Sequence, residues 1–215
     1  KYTIVLKNNC VFSLINRFIN LFYAENINKN LSCLKDKLGK KIFSDKITII
    51  EDPTNDSYVG KRLFDDEGTK TFYKEIVKNG VFKTQLYDNK NAIKDNKEST
   101  GNSFGVRNMI LEKGNISYEN IVKKCKNGLL IDDIQGLHAG LNEITGDFSL
   151  QAQGYEIKDG KQAKAVKLII LTSNVFEIFS NVVDVCDDLE INSVIGGAPS
   201  LLINNISISG SKKEE

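Results

Sequence analysis

A chain of 215 residues, 40% hydrophobic and 27% charged, has a globular rather than a disordered composition and is long enough to bury roughly 70% of its unfolded surface. Its 29 Lys and Arg against 28 Asp and Glu leave no surplus for a polyanion, so direct nucleic-acid binding is not expected. The single histidine, His138, excludes a His-based metal site on this chain alone, and no apolar run approaches the ~20 residues of a membrane span.

Lys1 to Leu6 opens in strand-like alternation, with neither a Met nor a signal peptide's basic start, and reads as a piece of a longer protein. Phe12, Ile15, Ile19 and Phe22, widened by Leu14, Phe18 and Leu21, recur at helical spacing and predict a buried helix over residues 10–25. Asn30 is placed to cap a short second helix that stops near Gly39. Lys46 to Glu51 predicts a strand, ended by the turn chemistry of Asp52-Pro53-Thr54-Asn55-Asp56.

Residues 69–78 and 81–87 flank Asn79-Gly80, a dipeptide that takes the positive φ angles of a tight hairpin. The polar stretch 88–105 predicts one short helix and a loop, and Val106 to Glu112 a strand. Ser117 is placed to cap a helix reaching Asn127, before a strand that starts at Leu129-Leu130-Ile131. From Asp147, the pattern Phe148, Leu150, Ala152, Tyr155, Ile157 predicts a strand with a glycine bulge at Gly154, turning at Asp159-Gly160 into a second arm, Ala163 to Leu171. Thr172 or Ser173 is placed to cap a helix with Val175, Ile178, Phe179, Val182 and Val183 on its apolar face, and Leu201 to Ile208 supplies a last strand. The expectation is one α+β domain over residues 1–210: a mixed, largely antiparallel sheet, curved or half-barrel, with flanking helices and two hairpins, and a disordered tail at 211–215.

Several groups carry chemistry in principle. Asp65-Asp66-Glu67-Gly68 lacks the alternating spacing of a calcium loop and is read as a turn rather than a cation site. Asp187-Asp188 and Glu190 follow the predicted last helix, where the macrodipole disfavours acids, which suggests that they cap a neighbouring backbone. Ile195-Gly196-Gly197-Ala198-Pro199 and the 99–105 loop are small-residue turns that let a backbone approach a ligand or another strand. Cys10, Cys33, Cys125 and Cys186 are far apart with no CxxC pair, which suits reduced thiols in a cytoplasmic protein.

In order along the chain, Arg62-Leu63-Phe64-Asp65-Asp66-Glu67-Gly68, Lys78-Asn79-Gly80-Val81, Ser99-Thr100-Gly101-Asn102, Thr145-Gly146-Asp147-Phe148-Ser149, Gly154-Tyr155 with Asp159-Gly160, and Asp188-Leu189-Glu190 before Gly197-Ala198-Pro199 together resemble the TldD/PmbA family, also labelled modulators of DNA gyrase. The resemblance covers nearly the whole chain. It implies the C-terminal domain of a two-domain protein whose N-terminal domain is absent here, and a pair of related subunits that together cut unfolded peptides in a closed chamber. In that family the TldD-type subunit is a zinc metallopeptidase with a His-Glu-x-x-x-His helix and a later cysteine, whereas the PmbA-type subunit, TldE, lacks those ligands. Aligned on this chain, the histidine positions fall on Ile15 and Asn20 and the glutamate position on Asn16, and the cysteine loop falls near Ile195-Gly196-Gly197, which has no thiol. The resemblance therefore implies a non-catalytic partner with no metal or cofactor of its own, zinc being expected on a TldD-type subunit.

On that basis Gly101, Asn102, Asn142, Thr145, Gly146, Asp147, Phe148, Gly196 and Gly197 are the candidates for lining a peptide chamber. The partner is a TldD-type subunit or a second copy, and the substrate an unfolded peptide. The competing expectation is a non-proteolytic dimeric interaction protein that modulates a toxin or gyrase. A third is hydrolysis by this chain alone through Cys125 or Cys186.

Overall fold

The computed structural model describes residues 1–210 other than Phe104 and Asn192, so the tail expected at 211–215 lies outside the described residues. Three apolar triplets set the centre of the fold: Ile4-Val5-Leu6 in β1 (Tyr2–Leu6), Leu129-Leu130-Ile131 in β6 (Gly128–Gln135) and Leu201-Leu202-Ile203 in β12 (Leu201–Ser209). Strands that are apolar without alternation are buried on both faces. Ile4, Leu6, Leu129, Ile131, Leu201 and Ile203 point into the main core. Their neighbours Val5, Leu130 and Leu202 face a second, smaller core.

β1 lies between the other two, parallel to β6 and antiparallel to β12. The hairpin of β7 (Asp147–Lys158) and β8 (Lys161–Asn174) joins the outer edge of β6 to β12. The circuit β1-β6-β7-β8-β12-β1 thus closes into a five-stranded barrel, a step beyond the half-barrel expected. Asp159 and Gly160 both take positive φ at the hairpin turn, and the register slips between Ala152 and Gly154, where the bulge was expected. Helix α4 (Tyr118–Cys125), capped by the Ser117 side chain, lays Ile121 and Cys125 over the second core.

The second sheet runs in the order β10 (Glu190–Ile191), β11 (Gly196–Ala198), β5 (Met109–Leu111), β2 (Ile49–Glu51), β3 (Lys74–Lys78), β4 (Val81–Phe82). Only the β11–β5 pair is parallel, and β3–β4 is the expected hairpin, with Asn79 and Gly80 at φ 47° and 76°. Helix α1 (Asn8–Phe18) buries Cys10, Val11, Leu14, Ile15 and Phe18 in the core shared by barrel and second sheet. At roughly 1.5–3 kcal/mol for each fully buried large aliphatic or aromatic side chain, this shared core is the main adhesive between them. Among the described residues, no helix is long and apolar enough to cross a membrane.

Three expectations are corrected. The helix over 10–25 is α1, then a 3-10 turn (Ile19–Phe22), then α2 (Ala24–Asn28) after a break at extended Tyr23. No helix runs from Asn30 to Gly39: Asn30 has φ 58° and terminates α2 instead of starting an element. Helix α5 (Val175–Ser180) is capped by Asn174 rather than Thr172 or Ser173, and Val182-Val183 belong to strand β9 (Val182–Val185). β9 pairs with the first half of β12 and β8 with its second half, so α5 bridges two strands on the same edge. Asp187 and Asp188 consequently follow a strand, not a helix. Asp188 caps a backbone as anticipated, accepting the Ser200 N–H at 2.8 Å and the Ser200 hydroxyl at 2.7 Å.

Candidate functional site

The candidate lining residues divide into two groups. Asn142, Thr145 and Gly146 form one tight turn that leads into Asp147 and Phe148, the first residues of β7. The Asn142 side chain accepts the Ile144 and Thr145 N–H groups at 3.0 and 3.1 Å, and Gly146 closes the turn at φ 85°. Asp147 accepts the Thr145 hydroxyl at 2.6 Å and the Asn174 amide at 2.8 Å, and these bonds hold its carboxyl below the ordinary value. Phe148 turns inward against Phe18, with ring centroids 6.2 Å apart, so its side chain serves the core. Outside this turn lies an open groove of about 710 Å³, lined by Leu141, Asn142, Asp147, Ser149, Thr172, Asn174, Glu177 and Ser207 among others.

Gly196 and Gly197 belong to β11 of the second sheet, and Gly101 and Asn102 to the loop bound to its Glu51. Gly196 pairs with Met109, Met109 with Glu51 and Glu51 with Lys74, in one row across four strands. A Cβ on Gly196 would lie 1.8 Å from the Met109 carbonyl oxygen, and one on Gly197 2.0 Å from that of Glu190. These glycines are therefore required by strand contact within the sheet. In the same row Lys74 and Glu51 form a buried ion pair at 2.8 Å. The Asn102 amide donates to both Glu51 oxygens at 3.0 and 2.8 Å, and the Arg107 N–H to Oε1 at 2.8 Å. Asp65, read as part of a turn, is buried and binds the N–H groups of Glu67, Thr69 and Ser103. Asn102, Ser103 and Arg107 are thus each tied down. Sequence reasoning missed the Glu51–Lys74 pair; the only signal was a carboxylate directly after Ile49-Ile50 at the end of the predicted strand.

The segment after α1 passes between the two groups. Asn20 donates to Glu143 at 3.2 Å, and Arg17 pairs with the same carboxylate at 2.9 Å, on the barrel side. Tyr23 reaches the other side: burial, then the Glu51 charge, push its phenol up, opposed by a hydrogen bond with the Val106 backbone. Of the positions onto which the resemblance puts the metal-binding helix, Ile15 is 5% exposed in the core and offers no lone pair, Asn16 is half-buried, and the Asn20 amide donates to Glu143. These donors do not suit a zinc ion. Among the described residues, no group of three His, Cys, Asp or Glu is placed to hold a metal.

The thiols do not suit nucleophilic chemistry either. Burial pushes Cys125 up to about 11 and Cys186 up to about 12, the wrong direction for a thiolate at neutral pH. His138 is exposed in the turn between β6 and β7.

A closed five-stranded barrel joined to a second sheet through α1 defines an α+β class of domain. The chain belongs to the PmbA/TldD family: the model described as PmbA/TldA metallopeptidase C-terminal domain matches residues 1–210. A Buchnera aphidicola protein named metalloprotease PmbA homolog is 32% identical over 187 residues, covering 87% of this chain and 41% of the relative. A Thermotoga maritima crystal structure, named as a candidate modulator of a DNA gyrase, superposes with a TM-score of 0.92 at 36% identity, covering 97% of this chain and 49% of that one. Thermococcus kodakarensis TldE gives 0.87 at 26% identity, with 97% and 50% covered. The chain thus spans about half the length of the relatives it matches.

Proposed function

We propose that this chain is the C-terminal domain of a PmbA/TldE-like cytoplasmic subunit that completes the chamber of a TldD-type zinc metallopeptidase. It helps hold an extended, unfolded peptide and has no metal of its own. The observation that carries this reading is the α1 segment. By the resemblance, the positions of the catalytic subunit's metal-binding helix fall here on core-buried Ile15 and on Asn16 and Asn20, and the segment that follows runs from Glu143, which Asn20 binds, to Tyr23 beside Glu51 and Val106. A surface flanked by anchored loops can bind a peptide backbone by hydrogen bonds without cleaving it.

The test is to purify the full-length protein with a TldD-type subunit from the same cells, then measure zinc content and cleavage of an unfolded peptide. The expected outcome is one zinc-carrying partner, no cleavage by either subunit alone, and cleavage by the pair. A metal-free self-dimer with no effect on cleavage would point instead to the interaction-protein reading, which the gyrase label of the Thermotoga relative favours. Zinc bound by this subunit alone would overturn the assignment of Ile15 and Asn20.

A further inference from the structure

The groove outside the 142–148 turn has a chemistry of its own. Ser149, Thr172 and Ser207 stand opposite one another on three neighbouring barrel strands, exposed, with the Ser149 and Thr172 hydroxyls 3.2 Å apart. This ladder offers hydroxyl donors and acceptors to the amide groups of a chain lying across the three strands. One end of the groove carries two exposed carboxylates, Asp147 and Glu177, and among the described residues its lining contains no Lys, Arg or His. Asp147 already accepts from Thr145 and Asn174, and Glu177 from the Ser173 hydroxyl at 3.4 Å, yet each carboxylate keeps lone pairs free. Leu141, half-buried in the same lining, gives an apolar surface against which a methylene stem can lie. About 710 Å³ is the size of a site for a few residues rather than for a whole protein.

We propose that this groove takes a basic side chain, lysine or arginine, of an extended peptide whose backbone runs along the hydroxyl ladder. The proposal rests on the peptide-holding reading above and adds a preference to it: charge complementarity selects cationic segments and rejects acidic ones.

The test uses the full-length subunit and three otherwise identical Ala/Ser peptides, carrying a neutral dye and a central lysine, norleucine or glutamate, with binding followed by fluorescence anisotropy. The expected result is roughly 1.5- to fivefold tighter binding of the lysine peptide than of the norleucine one at low salt, the range for exposed ion pairs, with the glutamate peptide weakest. Raising the salt should shrink the preference. Glu177→Gln, which leaves the turn contacts of Asp147 in place, should reduce the preference, and Asp147→Asn should reduce it further. Equal binding of the three peptides would overturn the charge preference while leaving peptide holding intact. A lysine preference unchanged in Glu177→Gln and in Asp147→Asn would remove it from this groove. No binding of any peptide would overturn both readings.

Discussion

The Lys74 ammonium and Glu51 carboxylate sit 2.8 Å apart with about 3% and 2% of their side chains exposed. Taking both ions out of water costs several kcal/mol, which is offset only because Glu51 also binds the Asn102 amide and the Arg107 N–H and the ammonium lies 4.5 Å from the centre of the Phe72 ring. Removing one partner should therefore cost far more than removing both. Lys74→Met is expected to lower stability by about 3–5 kcal/mol, and adding Glu51→Gln should recover a large part of that, as read from urea unfolding of the single and double variants. Additive losses would mean that the two charges do not stabilise each other. Asn102 was legible in the sequence as a residue of interest because its loop is rich in small and polar residues. Its partners were not, since Glu51 and Lys74 are 23 positions apart and become opposite only when β2 pairs with β3. The thiols give a second check at this scale. Cys33 is exposed while Cys10, Cys125 and Cys186 are buried, so a thiol reagent should label Cys33 in the native protein and the others only after denaturation. Native labelling of Cys125 or Cys186 would revive the cysteine-enzyme reading.

Helix α5 is held less by its own six residues than by Asn174 before it. The Asn174 oxygen accepts the Phe176 N–H at 2.9 Å, while its amide donates to the Thr145 carbonyl at 2.9 Å and to Asp147 at 2.8 Å. One side chain thus caps the helix and fixes the groove turn. Asn174→Ala should cost about 1–2 kcal/mol in stability, the range for a lost cap, again by urea unfolding. It should also move the Asp147 carboxyl upward. In the folded chain the Asn174 and Thr145 hydrogen bonds depress that group from its ordinary 3.8, so its contribution is present above this value and is lost as pH falls below it. A carboxyl titration by NMR that shows the same midpoint in the Asn174→Ala variant would contradict this account. The elements that were legible share one property: their signals are local. Asn79-Gly80, Asp159-Gly160, Ser117 and Gly154 each specify a conformation within a few residues. The cap of α5 was misplaced because β8 runs on through Asn174, which depends on pairing with β7 across the hairpin.

Closure of the barrel depends on the two ends of the chain. β1 meets β12 with Ile4 opposite Ile203 and Leu6 opposite Leu201, so the final pairing waits for nearly all the intervening chain. No local pattern reports such a contact, which is why a curved or half-barrel sheet was the limit of what the sequence conveyed. The continuous apolar triplets were the one available hint, because only strands covered on both faces tolerate them. The same placement makes a prediction about cooperativity. Amides of Val5, Leu130 and Leu202 lie between two buried layers and pair with strands on both sides, so they should exchange with solvent only through global unfolding. The β7–β8 hairpin extends beyond that centre, and residues 161–168 on its second arm are almost all exposed. Its tip around Lys158 to Lys161 should open locally and exchange much sooner. Native-state hydrogen exchange on the full-length protein separates the alternatives. If the β1 amides exchange as fast as the hairpin tip, the barrel is open at the β1–β12 seam in solution. If they fall in the slowest class with β6 and β12, closure and folding are one event. Contacts of such high sequence separation should then also make refolding slow, with a rate-limiting step that Leu202→Ala retards and a substitution at the hairpin tip does not.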